Sequence, residues 1–253
     1  MDALSVTRDG DTTTLTLTRP ERRNVLALDV LEALTAAFED VGRSDARGVV
    51  LAAEGPVFSS GHDFADMDGA DLAAARHLFR TCTELMDTVQ SIPQPVVARV
   101  HALATAAGCQ LVATCDLAVA AASAGFALPG GRGGLFCHTP AVAVARAVGQ
   151  KRALEMALTG DVVDAPTAAA WGLVNRCVPD DELDAAVADL LARATRGGRD
   201  SKGLGKQAFY AQVGRPQDDA YALAVEVMAA ATQTADAREG VAAFLEKRRP
   251  ELS

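Results

Sequence analysis

Residues 12–18 alternate between polar and apolar positions, with Leu15 and Leu17 on one face, the period of a half-buried strand. Pro20 and Asn24 punctuate the chain, and beyond them Leu28, Leu31, Leu34, Ala37 and Phe38 recur at the spacing of one helix face. Val49, Val50 and Leu51 lie in a short apolar run over 48–53 that reads as a buried strand. Gly55-Pro56 breaks it, and a small-residue loop follows at Ser59-Ser60-Gly61. Leu72, Ala75, Leu78, Phe79, Cys82, Leu85, Met86 and Val89 predict a helix over 71–89, ended by Pro93 and Pro95.

The same order then recurs. Residues 95–100 read as a strand, 102–108 as a small-residue loop, 109–114 as a helix and 116–122 as a strand, before a Gly/Pro-rich stretch over 125–134. There is no sharp repeat period and no low-complexity linker. Beyond Pro140 the strand signal disappears, and 141–148, 152–159, 166–172, 181–194, 202–212, 218–233 and 237–247 all read as helices. Strands alternating with helices and followed by a helical tail predict an α/β fold, with a core over 1–195 and a C-terminal helical region over 196–253.

Composition narrows the picture. With 253 residues, 49% of them apolar and rich in alanine, the chain can bury a full core without a metal or disulfide. Its net charge of −9, from 24 basic and 33 acidic side chains, offers no general attraction to nucleic acid or an anionic membrane. No uncharged apolar stretch is long enough for an ordinary membrane span. The five cysteines, Cys82, Cys109, Cys115, Cys137 and Cys177, are odd in number and form no Cys-x-x-Cys pair, so they read as reduced thiols. The first ten residues mix Asp and Arg and lack the apolar centre of a leader. Together these features predict a soluble, cytoplasmic protein.

Two loops share one design, in which a buried strand runs into small residues and a helix then begins. They are Phe58-Ser59-Ser60-Gly61-His62-Asp63-Phe64 and Leu103-Ala104-Thr105-Ala106-Ala107-Gly108-Cys109-Gln110. Small residues allow close approach to the backbone, and a helix start presents free N–H donors at the positive end of its dipole. Two such amides converging on one oxygen would form an oxyanion hole. An ordinary pair of tight turns is the plainer alternative.

These residues also carry a resemblance. The run Phe58-Ser59-Ser60-Gly61-His62-Asp63 looks like the F-x-(A/S)-G-x-D signature of the enoyl-CoA hydratase/isomerase (crotonase) family, and residues 102–108 are similar to its G-x-A-x-G-G-G signature in degraded form. Arg19-Pro20-Glu21-Arg22-Arg23-Asn24 resembles the family's opening P-x-x-x-N, Cys115-Asp116-Leu117 its following strand, and Phe244-Leu245-Glu246-Lys247-Arg248 its closing helix. The matches run in order along nearly the whole chain. The resemblance implies a spiral of ββα units with a C-terminal helical trimerisation region, assembled as a homotrimer or as a hexamer of paired trimers. It implies an acyl-CoA thioester as substrate, no metal, and no cofactor beyond the coenzyme A of that substrate. The backbone amides of His62 and Ala107 would be the oxyanion donors. Arg22, Arg23, Ser60, Asp63 and Phe64 would border the coenzyme, and Phe244 and Lys247 would reach that of a neighbouring subunit.

The chain departs from the family pattern where it matters for chemistry. Family hydratases place two glutamates at positions that are Gln110 and Gly130 here. An amide takes no proton near neutral pH and a glycine has nothing to offer, so ordinary hydration of a 2-enoyl-CoA loses its acid and base. Residues 104–110 and 134–140 look like a narrower subgroup, the enoyl-CoA hydratase domain-containing proteins of type 3. His138 is the best remaining titratable candidate for the acyl pocket, although a helix-start histidine before Pro140 fits equally well. Asp63 reads more readily as a partner of loop amides, and Cys137 as a buried small thiol rather than a nucleophile. The side chain of His62 has no assigned role. The reading is a family enzyme acting through an oxyanion hole; the rival is a non-catalytic acyl-CoA binding or regulatory protein.

Overall fold

The computed structural model describes residues 3–252; Met1 and Asp2, the head of the segment read as too polar for a leader, lie outside it. Strands β1 (Leu4–Asp9) and β2 (Thr12–Leu17) form an antiparallel hairpin. Helix α1 (Leu28–Arg43) buries Val30, Leu31, Leu34, Phe38 and Val41, the face marked by its apolar spacing. Strand β3 (Gly48–Ala53) is buried at every position. Its alternate side chains face two cores. Val49, Leu51 and Ala53 join the main cluster, whereas Val50 and Ala52 meet Leu183, Val187, Leu190 and Leu191 on the opposite face.

A repeated unit follows. Strand β4 (Val57–Ser59) leads into α2 (Leu72–Ser91), β5 (Val96–Val100) and β6 (Leu103–Thr105) lead into α3 (Ala107–Thr114), and β7 (Leu117–Ala121) and β8 (Gly125–Ala127) lead into α4 (His138–Val148). Each unit gives its first strand to one sheet and its second to another. These strands stand in the order β1-β2-β3-β5-β7 in the first sheet and β4-β6-β8 in the second, and they pair in parallel except at the β1–β2 hairpin; each sheet gains one further edge strand from the C-terminal part. This is the expected spiral of ββα units. No fixed sequence period marks it because the helices differ so much in length, with 20 residues in α2 and 8 in α3.

The remainder is mostly helical: α5 (Gln150–Thr159), α6 (Ala165–Trp171), α7 (Leu183–Ala194), α8 (Arg199–Gln212), α9 (Gln217–Ala231) and α10 (Ala235–Leu245). The expectation that strands end at Pro140 is corrected by β9 (Val163–Asp164), which pairs with β8, and β10 (Arg176–Val178), which pairs with β7. Both are edge strands of two or three residues, too short to show a period. Strand β1 was also not anticipated; it is an edge strand with one partner and a largely exposed surface.

A buried ion pair ties α8 to the sheet. Lys206 Nζ lies 2.7 Å from Asp116 Oδ2 and donates to the carbonyls of Val89 and Gln94 at 2.8 and 2.9 Å, which uses all three ammonium protons. Asp116 Oδ2 also accepts the Val96 N–H at 2.7 Å, at the start of β5. Burial raises the Asp116 pKa and lowers that of Lys206, and the attraction between the two opposes both shifts. Removing one partner strands the other charge, so Lys206→Met should destabilise the fold by about 3–5 kcal/mol. Urea denaturation checks this; a loss below about 1 kcal/mol, as at exposed pairs, would show that the pair does not secure α8.

Candidate active site

The site is built on a backbone lacework between the segment after β2 and the turn after β4. Asn24 is 2% exposed and sits at φ 48°, a left-handed conformation that asparagine tolerates. Its side chain accepts the Arg19 N–H at 3.0 Å and donates to the carbonyls of Glu54 and Val57 at 2.8 and 3.0 Å. Its own carbonyl accepts the Ser59 hydroxyl at 2.8 Å. Ser60 donates its N–H to the Arg23 carbonyl at 3.1 Å and its hydroxyl to the same oxygen at 3.2 Å, and Leu26 N–H donates to the Gly61 carbonyl at 2.8 Å. The motif Asn24 is therefore the staple that positions the turn.

The second turn is pressed directly against the first. Strand β4 runs parallel to β6, with Ser59 beside Ala104. At Gly61 (φ +87°) an added Cβ would stand 2.9 Å from Ala106 Cβ and 3.0 Å from the Ala107 nitrogen. At Gly108 it would stand 2.6 Å from the Ser59 carbonyl oxygen. Only glycine fits at either position. Ala106, the residue before α3, has φ 49° and ψ −119°, a conformation that favours glycine, and its N–H donates to the Ala127 carbonyl at 2.9 Å. No side chain caps α3. Among the described residues, the N–H groups of His62 and Ala107 donate to no acceptor. The two amides expected to act together thus lie on turns in mutual contact.

The remaining candidates occupy distinct places. Asp63 caps the short turn Phe64–Asp66 by accepting the Ala65 N–H at 3.0 Å, and it pairs with Arg22. Phe64 is 77% exposed. Arg22 and Arg23 are both exposed, and Arg23 is in a left-handed conformation. Gln110 is 5% exposed, and its Oε1 meets no donor. Gly130 faces the returning chain: a Cβ there would stand 2.1 Å from the Leu135 carbonyl oxygen and 2.8 Å from Cys137 Sγ. Its N–H donates to that sulfur at 3.3 Å. His138 opens α4, exposed, with its ring 5.1 Å from Phe136. Phe244, on α10, is 82% exposed, and neither it nor Lys247 has a hydrogen bond or ion pair to residues 60–64 among the described residues. Burial pushes the Cys109 thiol up to about 12 and raises that of Cys137, so both are protonated and poor nucleophiles.

Two contributors were not foreseen from the residues. Asp66 accepts the Leu28 N–H at 2.9 Å and so fixes the start of α1. Phe79, on α2, stands edge-to-face with the His62 ring at 5.3 Å. Desolvation lowers the His62 pKa, against the opposing influence of the Leu26 carbonyl and the Asp66 carboxylate.

The family model for enoyl-CoA hydratase/isomerase matches residues 8–253. The chain belongs to the enoyl-CoA hydratase/isomerase family. It is 42% identical to the rat enoyl-CoA hydratase domain-containing protein 3, mitochondrial, over 93% of this chain and 79% of that protein. A solved enoyl-CoA hydratase from Mycobacterium smegmatis superposes with a TM-score of 0.96 at 45% identity, covering 99% of both chains. The human enoyl-CoA hydratase domain-containing protein 3 gives 0.94 at 39% identity, covering 99% of this chain and all of that one. The subgroup resemblance of residues 104–110 and 134–140 is thereby shown, and the chain is an enzyme-family member of the crotonase fold. The cytoplasmic expectation is corrected: relatives from rat, mouse, zebrafish and human are all named as mitochondrial. Reduced cysteines report a reducing compartment but carry no address.

The close approach of the family's two turns can be tested through stability. Ala106→Gly should stabilise the fold by about 1 kcal/mol, since relief of backbone strain of roughly 1–3 kcal/mol exceeds the added chain entropy. Gly61→Ala should destabilise it by about 1–3 kcal/mol. Denaturant midpoints of both variants check the pair, and a neutral effect at both positions would contradict the contact.

Proposed function

We propose that this crotonase-family chain binds an acyl-CoA thioester and polarises its carbonyl with the N–H groups of His62 and Ala107. The observation that carries this reading is the contact of Gly61 with the Ala107 nitrogen, beside two donors that no acceptor in the chain uses. A carbonyl oxygen gaining charge between them would take both hydrogen bonds and the favourable end of the α3 dipole. One such donor is worth about 2.7–4 kcal/mol in the transition state. An enolate and a tetrahedral alkoxide would benefit alike, so the amides do not choose the reaction.

The residues at positions 110 and 130 do narrow it. Gln110 and Gly130 supply no carboxylate, so addition of water to a 2-enoyl-CoA lacks its acid and base. On the coenzyme side, Arg22 is engaged with Asp63, whereas Arg23 has no ion-pair partner among the described residues and is the freer cation for a phosphate. Ser60 and Phe64 border the same surface. Coenzyme A enters only as part of the substrate.

The reading includes a homotrimer, alone or paired into a hexamer, in which Phe244 and Lys247 approach a neighbour's coenzyme A. It is supported by the uncovered apolar surface of the last helices. Helix α9 buries no residue in the single chain, and Tyr221, Met228, Val241, Phe244 and Leu245 are all exposed. Monomeric proteins seldom leave such a surface open to water.

Ala107→Pro removes one N–H at a helix position that tolerates proline. The folded variant should lose about 10²–10³ in turnover; wild-type turnover by that variant in a steady-state assay would refute the amide assignment. Crotonyl-CoA hydration by the wild type, followed by loss of enoyl absorbance, should stay near background. Rates of roughly 1–1000 per second, usual for enzymes, would refute the reading of Gln110 and Gly130.

A further inference from the structure

Buried polar atoms without partners concentrate on the two elements that carry the His62 and Ala107 amides. Of the six such side-chain atoms among the described residues, three belong to two residues: Oε1 of Gln110 and the two ring nitrogens of His62, of which one faces the Leu26 carbonyl and the other is left as an acceptor. Buried polar groups are paired as a rule, so this concentration points to something that binds there. His62 follows Gly61, whose α-carbon abuts the Ala107 nitrogen. Gln110 lies one turn beyond Ala107 on α3, and helical side chains lean toward the helix N-terminus, which carries its amide back toward that nitrogen. The Phe79 ring, 5.3 Å from the imidazole at an interplanar angle of 81°, holds the His62 plane.

Burial keeps the imidazole neutral, with one donor and one acceptor nitrogen. The Gln110 Oε1 is a second acceptor. Two acceptors on adjoining elements are what the two hydrogens of one water molecule can satisfy. We propose that His62 and Gln110 hold a water molecule against the bound carbonyl, and that His62 is the general base for hydrolysis of the thioester.

This inference rests on the acyl-CoA reading above. The imidazole takes a proton from the water, and the water oxygen bonds to the thioester carbon. The carbonyl electrons move to oxygen, between the amides of His62 and Ala107. The carbonyl then reforms, the C–S bond breaks, and its electron pair leaves on sulfur. The imidazolium gives its proton to the thiolate. One water and one thioester yield one carboxylic acid and free coenzyme A, with no change of oxidation state.

The count of titratable groups favours hydrolysis over addition to a double bond. Addition needs a base for the water and an acid for the neighbouring carbon. A thiolate, whose conjugate acid has a pKa of about 8.5, leaves without an acid. Asp63 is engaged with Arg22 and the Ala65 N–H, Asp66 with the Leu28 N–H, His138 is exposed on α4, and the Cys137 thiol is held protonated. His62 is the group that remains.

The test uses the intact protein and a panel of acetyl-, butyryl-, crotonyl-, β-hydroxybutyryl-, octanoyl- and palmitoyl-CoA. Binding is measured by calorimetry, coenzyme release with a thiol reagent, and oxygen incorporation from labelled water by mass spectrometry. The wild type should release coenzyme A from at least one of these thioesters and place one solvent oxygen in the acid. His62→Ala keeps its backbone N–H, so its Kd should hold within about twofold while kcat falls about 10²–10⁴-fold and partly recovers with added imidazole. Gln110→Leu should lower kcat without weakening binding. Undiminished kcat in folded His62→Ala overturns the proposal. Wild-type binding without release overturns hydrolysis and leaves the acyl-CoA reading standing, whereas absence of binding overturns both.

Discussion

The arrangement depends on two turns meeting with no side chain between them. Gly61 and Gly108 each face the opposing backbone at distances that a Cβ cannot occupy, and Ala106 accepts a strained conformation to complete the contact. The two free amides sit on turns whose other backbone groups are used elsewhere, the Ser60 N–H on the Arg23 carbonyl and the Ala106 N–H on the Ala127 carbonyl. Asn24 makes the arrangement rigid, because its side chain ties the segment after β2 to Glu54 and Val57, on the chain that enters the first turn. Rigidity of this kind is what electrostatic stabilisation needs, since donors already in place need not reorganise when charge develops.

How much of this could be read from the residues follows from how local each feature is. Strand β3 was legible because both of its faces are buried, which leaves an unbroken apolar run. The two turns were legible as small residues leading into helices. Strands β9 and β10 were not, because two or three edge residues carry no period. The side chain of His62 was illegible for another reason. Whether its ring is neutral and unpartnered depends on Phe79, Leu26 and Asp66, which come from separate elements and meet only in the fold. Asp116 was legible only as the start of a strand, because its partner Lys206 lies far along the chain and shows no pattern that would connect them.

That ion pair also explains how a region with little core of its own is held to the sheet. Helices α9 and α10 present apolar side chains outward, so their packing within one chain is thin. Lys206 reaches from α8 into a pocket of three oxygens at the base of the sheet and anchors the region by direction as well as by charge. A hydrophobic contact could slide by a residue, but an ammonium with three fixed acceptors cannot. The outward face is therefore offered at a defined angle.

The crowding at Gly130 limits what substitution could achieve there. With the Leu135 carbonyl and Cys137 sulfur closed over its α-carbon, any larger residue at this position collides with backbone before its functional group can be placed. One substitution at this position therefore cannot install a carboxylate; the 131–137 segment would have to move with it. The absence of a carboxylate at position 130 is thus enforced by the surrounding backbone as well as by the residue itself.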